Sequence, residues 1–305
     1  MGSPTLAAMT ECPAAADAPA AEAPDAPRRP ALSPSRAADF KQCPLLYRFR
    51  AIDRLPEVPG RAQVRGTLVH AVLERLYDLP PADRHPAAAR ALVGPEWSRL
   101  QEDAPELVGA LFAGPDDPEL AEWLASAGPL LDTYFRLEDP RRLEPAAREL
   151  LVETELPSGL LLRGYVDRLD VAATGQVRIV DYKTGAAPRP VAEARALFQM
   201  KFYALVLLQL RGAVPAQLRL LYLTDGESLT YEPDEAQLLR FARTLEAIWA
   251  AILAAAQDGD FQPNPGRFCE WCSHKPLCPA WGGVPPAYPG WPGAPAEETP
   301  ADRAG

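Results

Sequence analysis

The sequence predicts an α/β or α+β fold, because segments with helical and strand periodicity follow one another along a chain of 305 residues. Apolar residues recur at helical spacing near residues 64–78, alternate with polar residues between 149 and 183, and return to helical spacing beyond residue 191. This order of helix, β-meander, helix, strands and helix is typical of a sheet with helices packed against it. Residues 32–282 are therefore expected to form the folded domain.

The N-terminal half of this domain is predicted to be mostly helical. Ser33 can cap a short first helix, because Pro34 suits the first helical position. A second helix is expected over about residues 64–78, where the apolar residues form one stripe. Residues 80–148 contain short helical patterns interrupted by Pro and Gly. They are predicted to be a helical insertion that carries no chemical motif.

The C-terminal half combines strand and helix patterns. Segments with alternating polarity predict strands, and two longer segments with helical spacing predict helices. Strands are expected near residues 149–156, 160–171, 176–183, 217–224 and 228–232, and helices near 191–210 and 234–257. A Pro- and Cys-rich segment over residues 261–282 closes the domain.

Composition restricts the class of protein. Residues 1–31 and 283–305 are rich in Pro, Ala and Gly, so both ends are expected to be disordered. The formal net charge of −10 argues against a general polyanion binder. The sequence contains no run of about 18 apolar residues, and it does not begin with a basic and then apolar signal segment. These features predict a cytoplasmic protein that does not span a membrane.

One stretch of the chain is basic despite the acidic total. It contains seven cationic residues and only three acids, Asp39, Asp53 and Glu57; the cations are Arg36, Lys41, Arg48, Arg50, Arg54, Arg61 and Arg65. Local contact with nucleic acid is one interpretation. A solvated helical face is the other, and charge alone leaves both open.

Two predicted strands around a Thr-Gly turn place a pair of acids opposite each other. If the turn centres on Thr174, the numbers of facing residues sum to 348, and Asp167 faces Asp181. Lys183 lies two residues further along, so its side chain points to the same side of the sheet. A shift of one residue in the pairing would separate the two acids.

Facing carboxylates repel each other, so a compensating positive charge is expected. A divalent ion such as Mg²⁺ or Mn²⁺ prefers oxygen ligands and would compensate them. Lys183 could then orient a water molecule or stabilise developing negative charge. The alternative is a surface hairpin whose acids pair with Arg168, Arg178 or Lys183.

Three further polar groups have less specific settings. His70 flanks the apolar stripe of its helix, with Glu74 one turn later, and such an imidazole is often a satisfied boundary residue rather than a ligand. Gln199 and Tyr203 form an i, i+4 pair on the later helix. Taken alone, this pair is better explained by packing of the tyrosine and a surface amide than by a functional site.

The cysteines indicate a metal centre. Cys269, Cys272 and Cys278 form a compact C-x2-C-x5-C pattern, and Cys43 lies far upstream, whereas Cys12 falls in the N-terminal tail. In a cytosolic protein, metal binding explains such a pattern better than disulfides do. Four thiolates suit Zn²⁺ and an iron–sulfur cluster equally. Three buried apolar cysteines remain the alternative without metal.

Taken together, these motifs resemble the RecB-like nucleases of the PD-(D/E)XK superfamily. The likeness is strongest to the iron–sulfur branch, which includes the nuclease domains of AddAB-type helicase–nucleases and the CRISPR adaptation exonucleases. It spans about residues 32–281. It rests on the segment from Ser33 to Cys43-Pro44, Gly66-Thr-Leu-Val-His70 with Glu74, Gly164-Tyr-Val-Asp167-Arg, Val180-Asp181-Tyr-Lys183-Thr-Gly, Gln199 with Tyr203, and the terminal cysteine pattern.

The resemblance implies a restriction-endonuclease-like α/β core: a mixed sheet flanked by helices, with the helical insertion and a C-terminal four-cysteine cluster segment. It implies that a Mg²⁺ or Mn²⁺ ion is bound by His70, Asp167, Asp181 and the main-chain carbonyl of Tyr182. Lys183 would be the catalytic lysine. The resemblance further places Gln199 and Tyr203 by the DNA path, and assigns a [4Fe–4S] cluster to Cys43, Cys269, Cys272 and Cys278.

The expected function is hydrolysis of DNA phosphodiesters by in-line attack of an activated water. The resemblance favours an exonuclease acting on single-stranded or end-bearing DNA in repair, recombination or related DNA processing. Arg36, Lys41 and Arg48 in the basic stretch are expected to contact the strand. A helicase would have to come from another chain, because this sequence has no Walker-type loop. A non-catalytic, cluster-stabilised DNA-binding module and a zinc protein of the same architecture are the competing hypotheses.

Overall fold

The computed structural model describes residues 29–187 and 193–292. Residues Ala31–Trp291 form one compact unit. Its centre is a five-stranded sheet in the order β1-β2-β3-β4-β5, in which β3 and β4 are parallel and the other neighbours are antiparallel. The strands are β1 (Ala147–Glu155), β2 (Leu161–Val171), β3 (Val177–Lys183), β4 (Gln217–Tyr222) and β5 (Glu227–Tyr231). The mixed sheet flanked by helices confirms the predicted α/β fold.

The helices occur mainly before the sheet and around its parallel pair of strands. They are α1 (Pro34–Gln42), α2 (Pro44–Tyr47), α3 (Arg61–Leu76), α4 (Pro86–Asp103), α5 (Leu107–Leu111), α6 (Pro118–Ala125), α7 (Ala127–Leu137), α8 (Glu193–Arg211) and α9 (Glu235–Asp258). A π-helical turn over Arg48–Ile52 follows α2. Short 3₁₀ turns at Arg267–Trp271, Lys275–Leu277 and Pro279–Trp281 form the cysteine-rich segment.

Two local predictions that position the site are confirmed. The side chain of Ser33 accepts a hydrogen bond from the backbone N–H of Arg36, and α1 begins at Pro34. In the β2–β3 hairpin, Arg168 pairs with Val180 and Val171 pairs with Val177, so the numbers of facing residues sum to 348. This is the pairing that a turn centred on Thr174 predicts.

Each face of the sheet is covered by a separate hydrophobic core. On one face, Ile179 and Leu220 pack with Phe202 of α8 and Leu245 of α9. On the other face, Val180, Tyr182, Leu221 and Leu223 pack with residues of α3, α4, α6 and α7. β3 carries residues of both cores, because its side chains alternate between the faces. The candidate catalytic strand is therefore held between two layers of helices.

Two regions differ from the sequence prediction. Helix α4 runs unbroken through Gly94 and Pro95, because Ala89, Val93 and Trp97 are buried on one side and keep the helix continuous. Residues 283–292 were expected to be disordered, yet two aromatic residues there contact the core: the Tyr288 ring packs against Phe261 and the Trp291 ring against Trp249. The rest of the predicted disordered ends, residues 1–28 and 293–305, lies outside the described residues.

None of the helices within the described ranges combines the length and hydrophobicity that crossing a lipid bilayer requires.

Candidate active site

Three potential metal ligands meet where α3 packs against the sheet. His70 Nδ1 lies 3.4 Å from Asp167 Oδ2 and 3.9 Å from Glu149 Oε1. One ligand atom from each residue lies within 4.8 Å of the other two, and among the described residues this is the one group of three His, Cys, Asp or Glu side chains that meets this condition. The trio of His70, Glu149 and Asp167 can thus hold a single ion.

Main-chain groups of Tyr182 fix two members of the trio. The Tyr182 N–H donates a 2.7 Å hydrogen bond to Asp167 Oδ2. His70 Nε2 lies 2.9 Å from the Tyr182 carbonyl oxygen, so Nε2 carries the proton and donates it. The predicted ligands His70, Asp167 and the Tyr182 carbonyl are therefore brought together. The unprotonated Nδ1 of His70 faces the carboxylates.

Glu149 was missed by the sequence analysis. It stands opposite Asp167, because Arg148 pairs with Arg168 and Leu150 pairs with Val166 on either side of it. Glu149 has a φ of 43°, a left-handed conformation that is uncommon outside glycine, and the pairing of β1 with β2 is interrupted there. The sequence did contain a signal for this pairing. The Pro-Ser-Gly turn after β1 centres on residue 158, so the numbers of facing residues in β1 and β2 sum to 316, and Glu149 faces Asp167.

Burial and mutual repulsion disfavour ionisation of these acids. Burial, and then the charge of Asp181, raise the pKa of Asp167 well above its ordinary range. Burial, followed by the charges of Glu74 and Asp181, raises the pKa of Glu149 to about 7. Burial lowers the pKa of His70, which keeps the imidazole neutral. A neutral imidazole lone pair facing two acids is the donor set that a divalent cation would satisfy.

The other predicted catalytic residues form a second, adjacent cluster. Lys183 Nζ lies 2.6 Å from Asp181 Oδ2 and donates a 2.8 Å hydrogen bond to Gln199 Oε1. Gln199 Nε2 donates to Asp181 Oδ1 at 2.9 Å and lies 3.5 Å from the Tyr203 hydroxyl. Asp181 is thus ion-paired rather than part of the trio. Its charge still reaches Asp167, so the two clusters belong to one site.

The site opens into a cleft of about 1010 Å³ between α1 and the β2 strand. Asp167, Gln199 and Tyr203 line it together with Arg36 and Lys41 of α1. Gly164 is required there, because a Cβ atom at this position would lie 2.8 Å from the Tyr203 ring. Acidic and cationic side chains therefore line one cleft.

The prediction that Arg48 contacts DNA is wrong. Arg48 is only 5% exposed, pairs with Asp53 and donates a hydrogen bond to the carbonyl oxygen of Pro286. Its neighbour Arg50 pairs with Asp39 and Glu57. Ion pairs within the protein therefore neutralise part of the basic stretch, which the charge count could not reveal.

The four candidate cluster cysteines line one small cavity. Cys43, Cys269, Cys272 and Cys278 surround about 110 Å³ together with apolar residues that include Leu45 and Phe49. Backbone N–H groups of Asn264 and Gly266 donate to the Sγ atoms of Cys43 and Cys269, each at 3.4 Å. Burial raises the pKa of the Cys272 thiol, with Cys269 and Cys43 as further contributors. The chain therefore brings the distant Cys43 to the C-terminal cysteines.

Comparison with known proteins identifies relatives of this architecture. A model of the PD-(D/E)XK nuclease superfamily matches residues 31–279. The Gene 69 protein of Mycobacterium phage D29 is 25% identical over 277 residues, which cover 83% of this chain and 97% of the phage protein. A crystal structure named "Putative exonuclease" from Eubacterium rectale is similar with a TM-score of 0.53 at 15% identity, covering 80% of this chain and 87% of that chain.

Proposed function

Because the chain belongs to the PD-(D/E)XK nuclease superfamily, we propose that it is a metal-dependent deoxyribonuclease that hydrolyses DNA phosphodiesters. One observation carries the proposal: the trio of His70, Glu149 and Asp167 lies within electrostatic reach of the ion-paired Lys183, and Asp167 lines the cleft. Buried acids with raised pKa values and a nearby ammonium group are typical of catalytic sites rather than of surface hairpins.

The proposed metal is Mg²⁺ or Mn²⁺, held by Asp167, Glu149 and His70, with Asp181 and the Tyr182 carbonyl close by. A bound ion would supply the positive charge that lowers the pKa of a water molecule and stabilises negative charge on the phosphate. Lys183 adds a fixed positive charge, because Asp181 and Gln199 hold its ammonium group in place. Lys183 would orient the attacking water or a phosphate oxygen by donating a hydrogen bond.

The proposed substrate is single-stranded or end-bearing DNA, and the proposed activity is exonucleolytic, in DNA repair, recombination or related processing. The resemblance to RecB-like nucleases supports this choice, as does the name of the Eubacterium rectale protein. The exposed Arg36 and Lys41 would contact phosphates across the cleft, so binding should weaken steeply with salt. A helicase on another chain remains the proposed partner.

An iron–sulfur cluster, rather than zinc, is the proposed occupant of the cysteine cavity. Four sulfurs around a tetrahedral zinc ion lie about 3.8 Å apart, given a Zn–S bond of about 2.3 Å. Within the described ranges, no three of the thiols come within 4.8 Å of one another. This wider spacing suits a larger group such as a [4Fe–4S] cluster and supports membership of the iron–sulfur branch.

A cleavage assay on end-labelled single- and double-stranded DNA with Mg²⁺ or Mn²⁺ tests the proposal. Wild type should cut, and Asp181→Ala should cut at least about 100-fold more slowly, because Lys183 loses its ion-pair partner beside the trio. Asp116→Asn, in an exposed loop, is the matched control and should retain full activity. Equal rates for Asp181→Ala and wild type would overturn the catalytic assignment. Binding without any cleavage by wild type would instead favour the non-catalytic module.

A further inference from the structure

A row of side chains leads from the metal-binding trio along the exposed side of β1 and β2. Beyond the facing acids Glu149 and Asp167, the next pair two residues along is Leu151 with Tyr165. The regular pairing is interrupted at Glu149, but Asp167 and Tyr165 line the same cleft. Arg163 follows two residues further along β2 and is ion-paired with Glu153 of β1. The sheet thus presents acids, an apolar pair and a cation in sequence.

Tyr165 is the unusual member of this row. Its side chain is 56% exposed, and it lines the same cleft as Asp167 and Arg163. Two residues along a strand correspond to about 6.7 Å. A base stacked on the ring would therefore be about one nucleotide away from a phosphate held at the acids.

Resting on the proposed nuclease function, we propose that Tyr165 is a stacking platform for the base next to the scissile phosphate, and that it makes the site selective for unpaired strands. An aromatic ring can stack on any base, whatever the sequence. Inside a duplex both faces of a base are covered by its neighbours, so this contact requires an unpaired or frayed nucleotide. Tyr165 would thereby determine the strand state that the site accepts.

The surroundings of Tyr165 favour stacking over chance exposure. Single exposed hydrophobic residues are common and need no explanation. Here, however, the ring lines a cleft that is also lined by two exposed cations, Arg36 and Lys41. A cationic groove with an aromatic platform is the usual combination in proteins that bind single strands. Leu151, 43% exposed, lies opposite Tyr165 on β1 and offers apolar surface beside it.

A double-mutant cycle with an abasic nucleotide tests the inference. Tyr165→Ala should lower kcat/KM for single-stranded DNA by about 5- to 100-fold, whereas Tyr165→Phe should remain within about threefold of wild type. In substrates for the wild-type protein, an abasic site is placed at successive positions along the strand. It should slow cleavage at one linkage only, and there by the same factor as Tyr165→Ala. At that linkage the abasic site should cause no further loss in Tyr165→Ala. Val171→Ala removes an exposed apolar side chain from the same strand and is the matched control.

Two outcomes would overturn the stacking role. In one, Tyr165→Ala and the abasic site act additively at every position. In the other, Tyr165→Ala slows cleavage of a blunt duplex as much as that of a single strand.

The same cycle run on binding separates this inference from the nuclease proposal. Fluorescence anisotropy with a labelled single-stranded oligonucleotide, in an Asp181→Asn background, reports affinity without cleavage. If wild type never cuts DNA but Tyr165 and the base show the same coupling in binding, the stacking role stands and the nuclease proposal fails. Equal affinities of Tyr165→Ala and Tyr165→Phe for this oligonucleotide would refute the stacking role.

Discussion

At the scale of single residues, the site places several acidic side chains close together. Asp167 and Glu149 face each other with Asp181 nearby, and the ammonium group of Lys183 is already paired with Asp181. His70 adds a lone pair and no charge. Burial and repulsion therefore raise the pKa values of Asp167 and Glu149, and a bound divalent cation would lower them.

Glu149→Gln should reveal this repulsion as a gain in stability. The folded-state pKa of Glu149 is about 7, above the ordinary 4.5, so its contribution to stability is full below pH 4.5 and is lost as the pH rises through about 7. In EDTA at about pH 8, the variant should therefore exceed wild type in unfolding free energy by about 1 kcal/mol, after allowance for solvent screening.

Urea denaturation at several pH values measures this effect. The difference between the two proteins should shrink as the pH falls towards 4.5. Saturating Mg²⁺ at about pH 8 should then stabilise wild type more than the variant. A wild type more stable than Glu149→Gln in EDTA at about pH 8 would contradict the electrostatic account.

Individual site residues differed in how far the sequence could predict them. The Thr-Gly turn fixes the β2–β3 pairing, so the relation between Asp167, Asp181 and Lys183 followed from counting. The partners of the individual acids could not be predicted in this way. Asp181 pairs with Lys183 and Gln199, whereas Glu149 lies with Asp167. A left-handed residue within a strand and the choice of ion-pair partner depend on tertiary packing, which periodicity does not encode.

At the scale of secondary-structure elements, a buried cluster connects the catalytic strands to the helical insertion. Arg168 of β2 is fully buried and donates hydrogen bonds to the hydroxyl groups of Tyr77, Tyr134 and Tyr182. It also pairs with Glu138, which follows α7, and with Asp170. Arg168 adjoins Asp167, and Tyr182 supplies the main-chain groups that hold Asp167 and His70. The cluster therefore supports the geometry of the trio.

Arg168→Ala should lower the free energy of unfolding by about 3–5 kcal/mol, because it leaves buried acids without their partner. Tyr134→Phe removes one hydroxyl from the same cluster and should cost only about 1 kcal/mol. The exposed Arg142, which pairs with Asp139 at 3.7 Å, is the matched control, and its alanine variant should stay within about 0.5 kcal/mol of wild type. Chemical denaturation measures all three. A loss below about 1 kcal/mol for Arg168→Ala would show that the cluster contributes little.

The elements themselves were largely predictable. All five strands and the helices around them lie within a few residues of the expected positions, because amphipathic periodicity is strong in a two-sided core. Short helices interrupted by Pro and Gly were expected in the insertion, but α4 continues through Pro95, where Val93 and Trp97 are buried. Local propensity is overridden there by tertiary contacts.

At the scale of the whole molecule, the cysteine cavity joins residues that are distant in sequence. Cys43 follows the first helix, and Cys269 to Cys278 lie beyond the last one. A group that bridges them closes a very long loop and removes conformational entropy from the unfolded chain. The ordered residues up to Trp291 extend this C-terminal packing through aromatic contacts that composition alone did not predict.

Cys43→Ser should therefore lose iron and loosen the fold. Anaerobically purified wild type is expected to contain stoichiometric iron, and the variant should contain less and melt at least about 4 °C lower. Cys12→Ser, in the N-terminal segment outside the described residues, is the control and should match wild type. Elemental analysis and a thermal melt make the measurement. Stoichiometric zinc without iron in wild type would contradict the proposed cluster.

The central claim is that His70, Glu149 and Asp167 together hold the ion that cleavage requires. A crystal soaked in Mn²⁺ and measured at the manganese absorption edge tests it directly. The anomalous map should show one strong peak within about 2.0–2.3 Å of His70 Nδ1 and an oxygen of Asp167. A saturated crystal with no peak among these three side chains would contradict the claim.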